Sequence, residues 1–243
     1  MLLRRVIDDV RSQNWTAVAI DFAIVVIGVF IGIQVSNWNE AREARSEEHS
    51  YLERLLDDMQ ASIARNETQI AFMERHAGYA RLVLNQLDQC AVDEDARDAF
   101  ATGLFLIGKS LPPVMVRGTV DELNTTGRFQ YINNSELRRD LIRLIEYVEG
   151  LDRIFDTTLE RAGPHTTYVE SKVEYRFDTP VGGGENIRWE NIKVDLDALC
   201  ADQHFRNAVS AAHVYTNDMI FAGKDVLKRQ RDIAGVIEKE LVR

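Results

Sequence analysis

The sequence predicts an all-α protein: a transmembrane helix near the N-terminus, then a long-helix up-down-up-down bundle with an irregular distal cap. Three observations predict it. An apolar run from Thr16 to Asn37 contains a single charge, Asp21. A 3.5-residue apolar repeat then runs from Leu52 to Leu87. The 243 residues include only four prolines, which suits long helices.

The run is flanked by Trp15 and Trp38. Their spacing is about 35 Å at helical rise, enough to cross a hydrocarbon core of about 30 Å and reach both interfaces. Tryptophans at both ends match an aromatic belt. A cleaved signal peptide is the competing reading, because the uninterrupted core Phe22–Ile33 is short. No small-x-small cleavage site follows it directly, which favours a retained anchor. The chain is thus expected to divide into a cytoplasmic or interfacial segment (1–14), the transmembrane helix (15–38), a charged helical connector (39–51) and an exterior helical domain (52–243).

Charge supports this division. Residues 1–38 hold Arg4, Arg5 and Arg11 against Asp8, Asp9 and Asp21, so the remaining 26 basic and 36 acidic side chains carry the whole net charge of −10. Nucleic acid is excluded as an expected partner, since binding it needs a basic face. Arginines on both sides of the span, with a small excess before it, orient the N-terminus to the cytoplasm by a weak positive-inside bias. Leu2, Leu3, Val6, Ile7 and Val10 fall at helical spacing and suit a short helix on the inner surface, or else a frayed tail.

Two features of the span suggest contact with another helix. Gly28 and Gly32 form a GxxxG motif that Ser36 continues. Such a stripe lets two backbones approach closely, although it also arises by chance. Asp21 lies seven residues before Gly28 on the same face. Its carboxylate either reaches the headgroups, the simpler reading, or faces a protein neighbour.

The exterior helices follow in order. Leu52, Leu56, Met59, Ile63, Asn66, Ile70, Met73, Ala77, Ala80, Leu84 and Leu87 alternate spacings of four and three. Asn66 is the polar position of that seam, and a buried Asn fixes register. Leu55, Phe72, Leu82 and Val83 widen the stripe, as a helix with several neighbours requires. Asp93–Ile107 reads as a helix stopped by Gly108 and Leu111-Pro112-Pro113. Thr119–Asn124 is a short helix with Thr119 and Glu122 at capping-box spacing, ended near Gly127. Asn133 caps the next helix, which carries Leu137, Leu141, Leu144, Val148 and Leu151, kinks at Gly163-Pro164 and resumes to about Tyr175. Residues 177–199 form the irregular cap, with Val181–Gly184 a flexible loop and Ile192, Val194 and Leu196 alternating like a short strand. Phe205–Arg243 is the last helix, with Ala212, Met219, Val226 and Ile233 at seven-residue intervals.

Cys90 ends the first long helix and Cys200 just precedes the last. If those helices run antiparallel, the cysteines meet at the membrane-distal tip. Both belong to the exterior domain, where disulfides persist, so a Cys90–Cys200 bridge is expected. Two separate buried thiols are the alternative.

The run IVVIGVFIGIQVSNWNE (Ile24–Glu40) resembles the anchor of a family of uncharacterised bacterial single-pass membrane proteins. DELNTTGRFQYINNSELRRDLIRLIEYVE (Asp121–Glu149) resembles that family's second hallmark, a Leu-x-x-x-Gly turn followed by an Ile-x-x-x-x-Leu-Arg helix start. The resemblance covers about a quarter of the chain. It implies a bacterial origin and a membrane location, and it brings no activity and no functional residues.

Chemical motifs are absent from the sequence. His49, His76, His165, His204 and His213 show no metal-ligand spacing, and the chain has no GxSxG and no phosphate loop. No catalytic, cofactor-binding or metal residue is expected. The function class that remains is a non-enzymatic, membrane-anchored interaction or scaffold protein of the bacterial inner membrane with a periplasmic domain. Its expected partners are the lipid bilayer and either further copies of itself or another membrane protein. The alternative is a sensor of a small ligand. With only 14 residues before the span, a sensor needs a separate membrane partner for output.

Overall fold

The computed structural model describes residues 15–177 and 187–242, with side chains from Ile20 onward except Asp21. The expected interfacial helix at residues 2–10, the side chains of Trp15 and Asp21, and the Val181–Gly184 loop lie outside the described residues. The chain divides into two compact units, Met1–Ser50 and Tyr51–Arg243. Helix α1, Trp15–Gln89, contributes to both.

In the first unit α1 carries consecutive apolar side chains, Ile24, Val25, Val26 and Ile27 among them, which cover every side of the helix and are all exposed. This helix is long and apolar enough to cross a membrane. The charged connector that follows is helical and mostly exposed.

Among the described residues the second unit is all-α apart from one ribbon of two short strands, and its core positions follow the predicted repeat. Leu52, Met59, Asn66, Met73, Ala80 and Leu87 are buried at seven-residue intervals along α1. Leu55, Ser62, His76 and Val83 form a second buried row beside them, while Leu56, Ile63 and Leu84 are half-buried. The chain then folds as expected, α1 up, a broken limb down, a long helix up and a last helix down. The limb holds α2 (Arg97–Leu106) and α3 (Gly118–Thr125), joined by an extended stretch. The long helices are α4 (Ser135–Ser171) and α6 (Gln203–Leu241).

The contacts of α1 with the descending limb, made by Met73 and Asn66 of the first row, Ser62 of the second and the half-buried Asp58, run antiparallel in strict order. Met73 Sδ accepts the Leu111 N–H, Asn66 the Val114 N–H, Ser62 the Val116 N–H and Asp58 the Thr119 N–H. This accounts for a polar row inside a bundle. An extended segment exposes backbone donors that a helix would satisfy internally, and α1 satisfies them.

Three boundaries differ from the sequence reading. The cap of α4 is Asn134, one residue later than expected; its Oδ1 accepts from the Glu136 and Leu137 N–H groups at 3.0 and 3.1 Å. The capping box at Thr119 does not form, because α3 starts at Gly118 and Asp58 caps it from α1. Helix α4 contains Pro164 and ends at Ser171, earlier than the expected Tyr175. In the cap, Ile192–Lys193 is a strand, paired antiparallel with Glu174–Tyr175, whereas Leu196 opens a short helix, α5 (Leu196–Ala201).

Two glycines shape the limb. Gly108 (φ +71) turns the chain out of α2, and Gly127 (φ +67) ends α3 in the Leu123-x-x-x-Gly127 turn. The apolar core has two large clusters. One lies at the Tyr51 end around Leu55, Leu123, Ile132 and Leu141. The other lies at the Cys90 end around Phe100, Leu104, Phe205 and Val209. A smaller group, including Ile70, Met73, Met219 and Ile220, bridges α1 and α6 between them.

Candidate functional site

The candidate residues fall on the two units separately. In the span, a Cβ built on Gly28 or Gly32 meets nothing within 4 Å, so that stripe is open. Ser36 Oγ donates to Glu40 Oε1 at 3.2 Å, which ties the hydroxyl to its own helix. The side chain of Asp21, the fourth predicted position, lies outside the described residues.

In the exterior domain Cys90 and Cys200 come to disulfide-bonding distance, with Cα atoms 5.7 Å apart across 110 residues of sequence. Local structure explains how. Cys90 takes the left-handed conformation (φ +47) that ends α1, with the Ala91 N–H on Gln86 O and the Cys90 N–H on Leu87 O. That double bond is the helix-ending pattern usually completed by glycine. Cys200 lies in α5, which opens with Asp195 accepting the Ala198 N–H. The pair sits at the Cys90 end of the bundle, where α1 and α6 are both at their termini.

The best-ordered polar arrangement is a junction of three chain segments. Asn66 pairs both faces of its amide with the Val114 backbone, accepting the N–H at 2.8 Å and donating to the C=O at 2.7 Å. Its Nδ2 also donates to Gln230 Oε1, and Gln230 Nε2 donates to the same Val114 carbonyl at 2.9 Å. Asn66 and Gln230 are both buried. Sequence reasoning placed Asn66 in the seam and missed Gln230. The available signal was a glutamine four residues after Val226, in the second apolar row of α6.

Elsewhere the polar groups stabilise local structure. Asp202 caps α6 and accepts from Tyr168 Oη at 2.7 Å, with Lys172 Nζ 3.1 Å away. The tyrosine hydroxyl, the Phe205 N–H and the lysine together hold its carboxyl well below the usual carboxylate range. Burial, with Arg81 nearby, lowers the His213 imidazole, which packs by Asn217. Burial pushes the Tyr175 phenol up. His204 lies edge-on to Tyr168, His165 lies near Tyr215 and His76 contacts Phe72, all as packing partners. Among the described residues no group of three His, Cys, Asp or Glu side chains is placed to hold a metal ion.

Two grooves mark the surface. One, of about 250 Å³ between α4 and α6, has a floor of Leu137, Leu144, Ile233 and Val236 and a rim of Asp140, Arg143, Arg229 and Asp232, whose charges balance. The other, between α1 and α6, is bridged by Lys224–Glu74 and Arg231–Glu67 ion pairs. Neither groove holds a nucleophile beside a general base.

No family model matches the chain, and no curated protein or solved structure matches it.

Proposed function

We propose that this chain is a membrane-tethered helical scaffold of the bacterial inner membrane. Residues 15–38 cross the bilayer, residues 1–14 face the cytoplasm, and the domain from residue 52 onward stands in the periplasm and holds a partner there. The observation that carries the reading is a helix apolar on every side, joined to a bundle in which Asn66, Ser62 and Asp58 are spent on its own backbone. The resemblance of Ile24–Glu40 and Asp121–Glu149 to bacterial single-pass proteins supports the membrane and the source. A cysteine pair at bonding distance suits an oxidising compartment. Self-association through Gly28, Gly32 and Ser36 is part of the proposal, since that stripe is open for a second helix. The reading is non-enzymatic.

Gentle extraction from native membranes, with mass spectrometry of co-purifying proteins, tests it. The expected result is a stoichiometric membrane protein partner, further copies of this chain, or both. A single copy with nothing attached refutes the scaffold.

The α4/α6 groove, with its apolar floor, favours a second reading, a periplasmic sensor of a small ligand that signals through a separate membrane protein. A ligand would then raise the melting temperature as its concentration passes its dissociation constant. No shift across a broad metabolite screen counts against the sensor.

A further inference from the structure

The outward side of α6 has its own pattern. From Asn207 to Gly223, seventeen residues, Asp218 is the only charged one, in a chain that is 28% charged. By contrast, α4 carries charges on successive turns from Glu136 to Arg161. Cations bracket the stretch at Arg206 and Lys224, and each is drawn onto α1, by Asp88 and by Glu74. Between them Asn207, Ser210, Val214, Asn217 and Phe221 recur at spacings of three and four, on the side opposite the buried row Ala208, Ala212, Met219 and Val226. Phe221 is 77% exposed and Val214 53% exposed. Asn217 is tied to its own helix through His213. The result is a second seam, with Val214 and Phe221 set among neutral polar side chains and Asp218 at its edge, on a helix whose first seam is already buried.

We infer that this seam is where a second copy of the chain docks on the exterior domain. Charge selects the occupant. The domain and connector carry the whole net charge of −10, so two identical copies repel each other wherever their acidic faces meet. The Asn207–Phe221 face holds one acidic side chain, the exposed Asp218 at its edge, so two copies meet there at less cost than elsewhere. A two-fold contact places the same patch on both partners. Two chains anchored in one membrane run parallel, so Val214 meets Val214 and Phe221 meets Phe221 in the manner of a parallel coiled coil. The inference rests on the self-associating reading above and extends it from the span to the exterior domain.

The test is cysteine crosslinking of the full chain in native membranes, with Cys90 and Cys200 replaced by serine. Phe221→Cys and Val214→Cys are expected to give a covalent dimer in most of the protein on mild oxidation, and Gln60→Cys on exposed α1 to give none. Phe221→Asp, at a side chain that touches little of its own fold, is expected to weaken dimerisation at least tenfold with the circular dichroism unchanged. A dimer that forms with no crosslink at 214 or 221 and is untouched by Phe221→Asp overturns the seam and leaves self-association standing. A monomeric wild-type chain overturns both. Crosslinking of Phe221→Cys to a different protein overturns the second copy as the occupant.

Discussion

Asn66 and Gln230 meet at 2.8 Å inside the bundle, and both close on the carbonyl of Val114. Helices α1 and α6 are thereby tied to each other and to the limb that runs between them. Val114 lies in the extended part of the limb, and its backbone has no helical partner.

Replacing Asn66 with leucine removes both bonds to Val114 and leaves a buried N–H without an acceptor. The expected cost is about 2–4 kcal/mol. The melting temperature of the purified full chain should fall by roughly 5–15 °C. A change within error would mean that the junction adds nothing.

Asp58 acts as a cap supplied from another helix, accepting the Thr119 N–H at 2.8 Å. Asp58→Ala is expected to lose about 1 kcal/mol, and Asp58→Asn, which keeps an acceptor oxygen, less than half of that. Equal losses in the two variants would show that charge, not the hydrogen bond, is what matters.

The Cys90–Cys200 bridge would close a loop of 110 residues. In the chain-entropy model it contributes up to roughly 4–5 kcal/mol. Reductant should lower the melting temperature of the wild-type chain and leave the Cys90→Ser/Cys200→Ser variant unmoved. If reductant has no effect on the wild type, the two thiols are not bonded in the cell.

Acid should act through Asp202. Its folded pKa is depressed, first by the Tyr168 hydroxyl. The stability it contributes is therefore complete above its unfolded pKa of about 3.9 and is lost as pH falls below that value. Between about pH 5 and pH 2 the Asp202→Asn variant should lose less stability than the wild type. Parallel pH curves would remove Asp202 from the account.

Much of this architecture was legible in the sequence because it rests on long-range periodicity. The repeat from Leu52 to Leu87 identified the buried side of α1, and the placing of Cys90 and Cys200 at helix ends foretold their meeting. What stayed hidden depends on neighbours distant in sequence. The Thr119 box looked complete locally, yet Asp58, 61 residues away, supplies the cap. Asn133 and Asn134 are adjacent and equally suited to capping, and only the backbone path selects the second. Pro164 removes one helical N–H, and α4 nonetheless continues to Ser171. Leu196 continued an alternating pattern, but Asp195 caps a helix there. The α6 seam was overlooked for a different reason: the inward repeat at Ala212, Met219 and Val226 accounted for the helix, and the charge-poor outer side reads as ordinary until exposure is known.

The central claim, a tethered scaffold that works as an assembly, is tested most directly by the mass of the particle taken from its own membrane with its lipid still attached. The account predicts at least two copies of this chain, or one copy with a stoichiometric partner. A lone copy of the chain would contradict it.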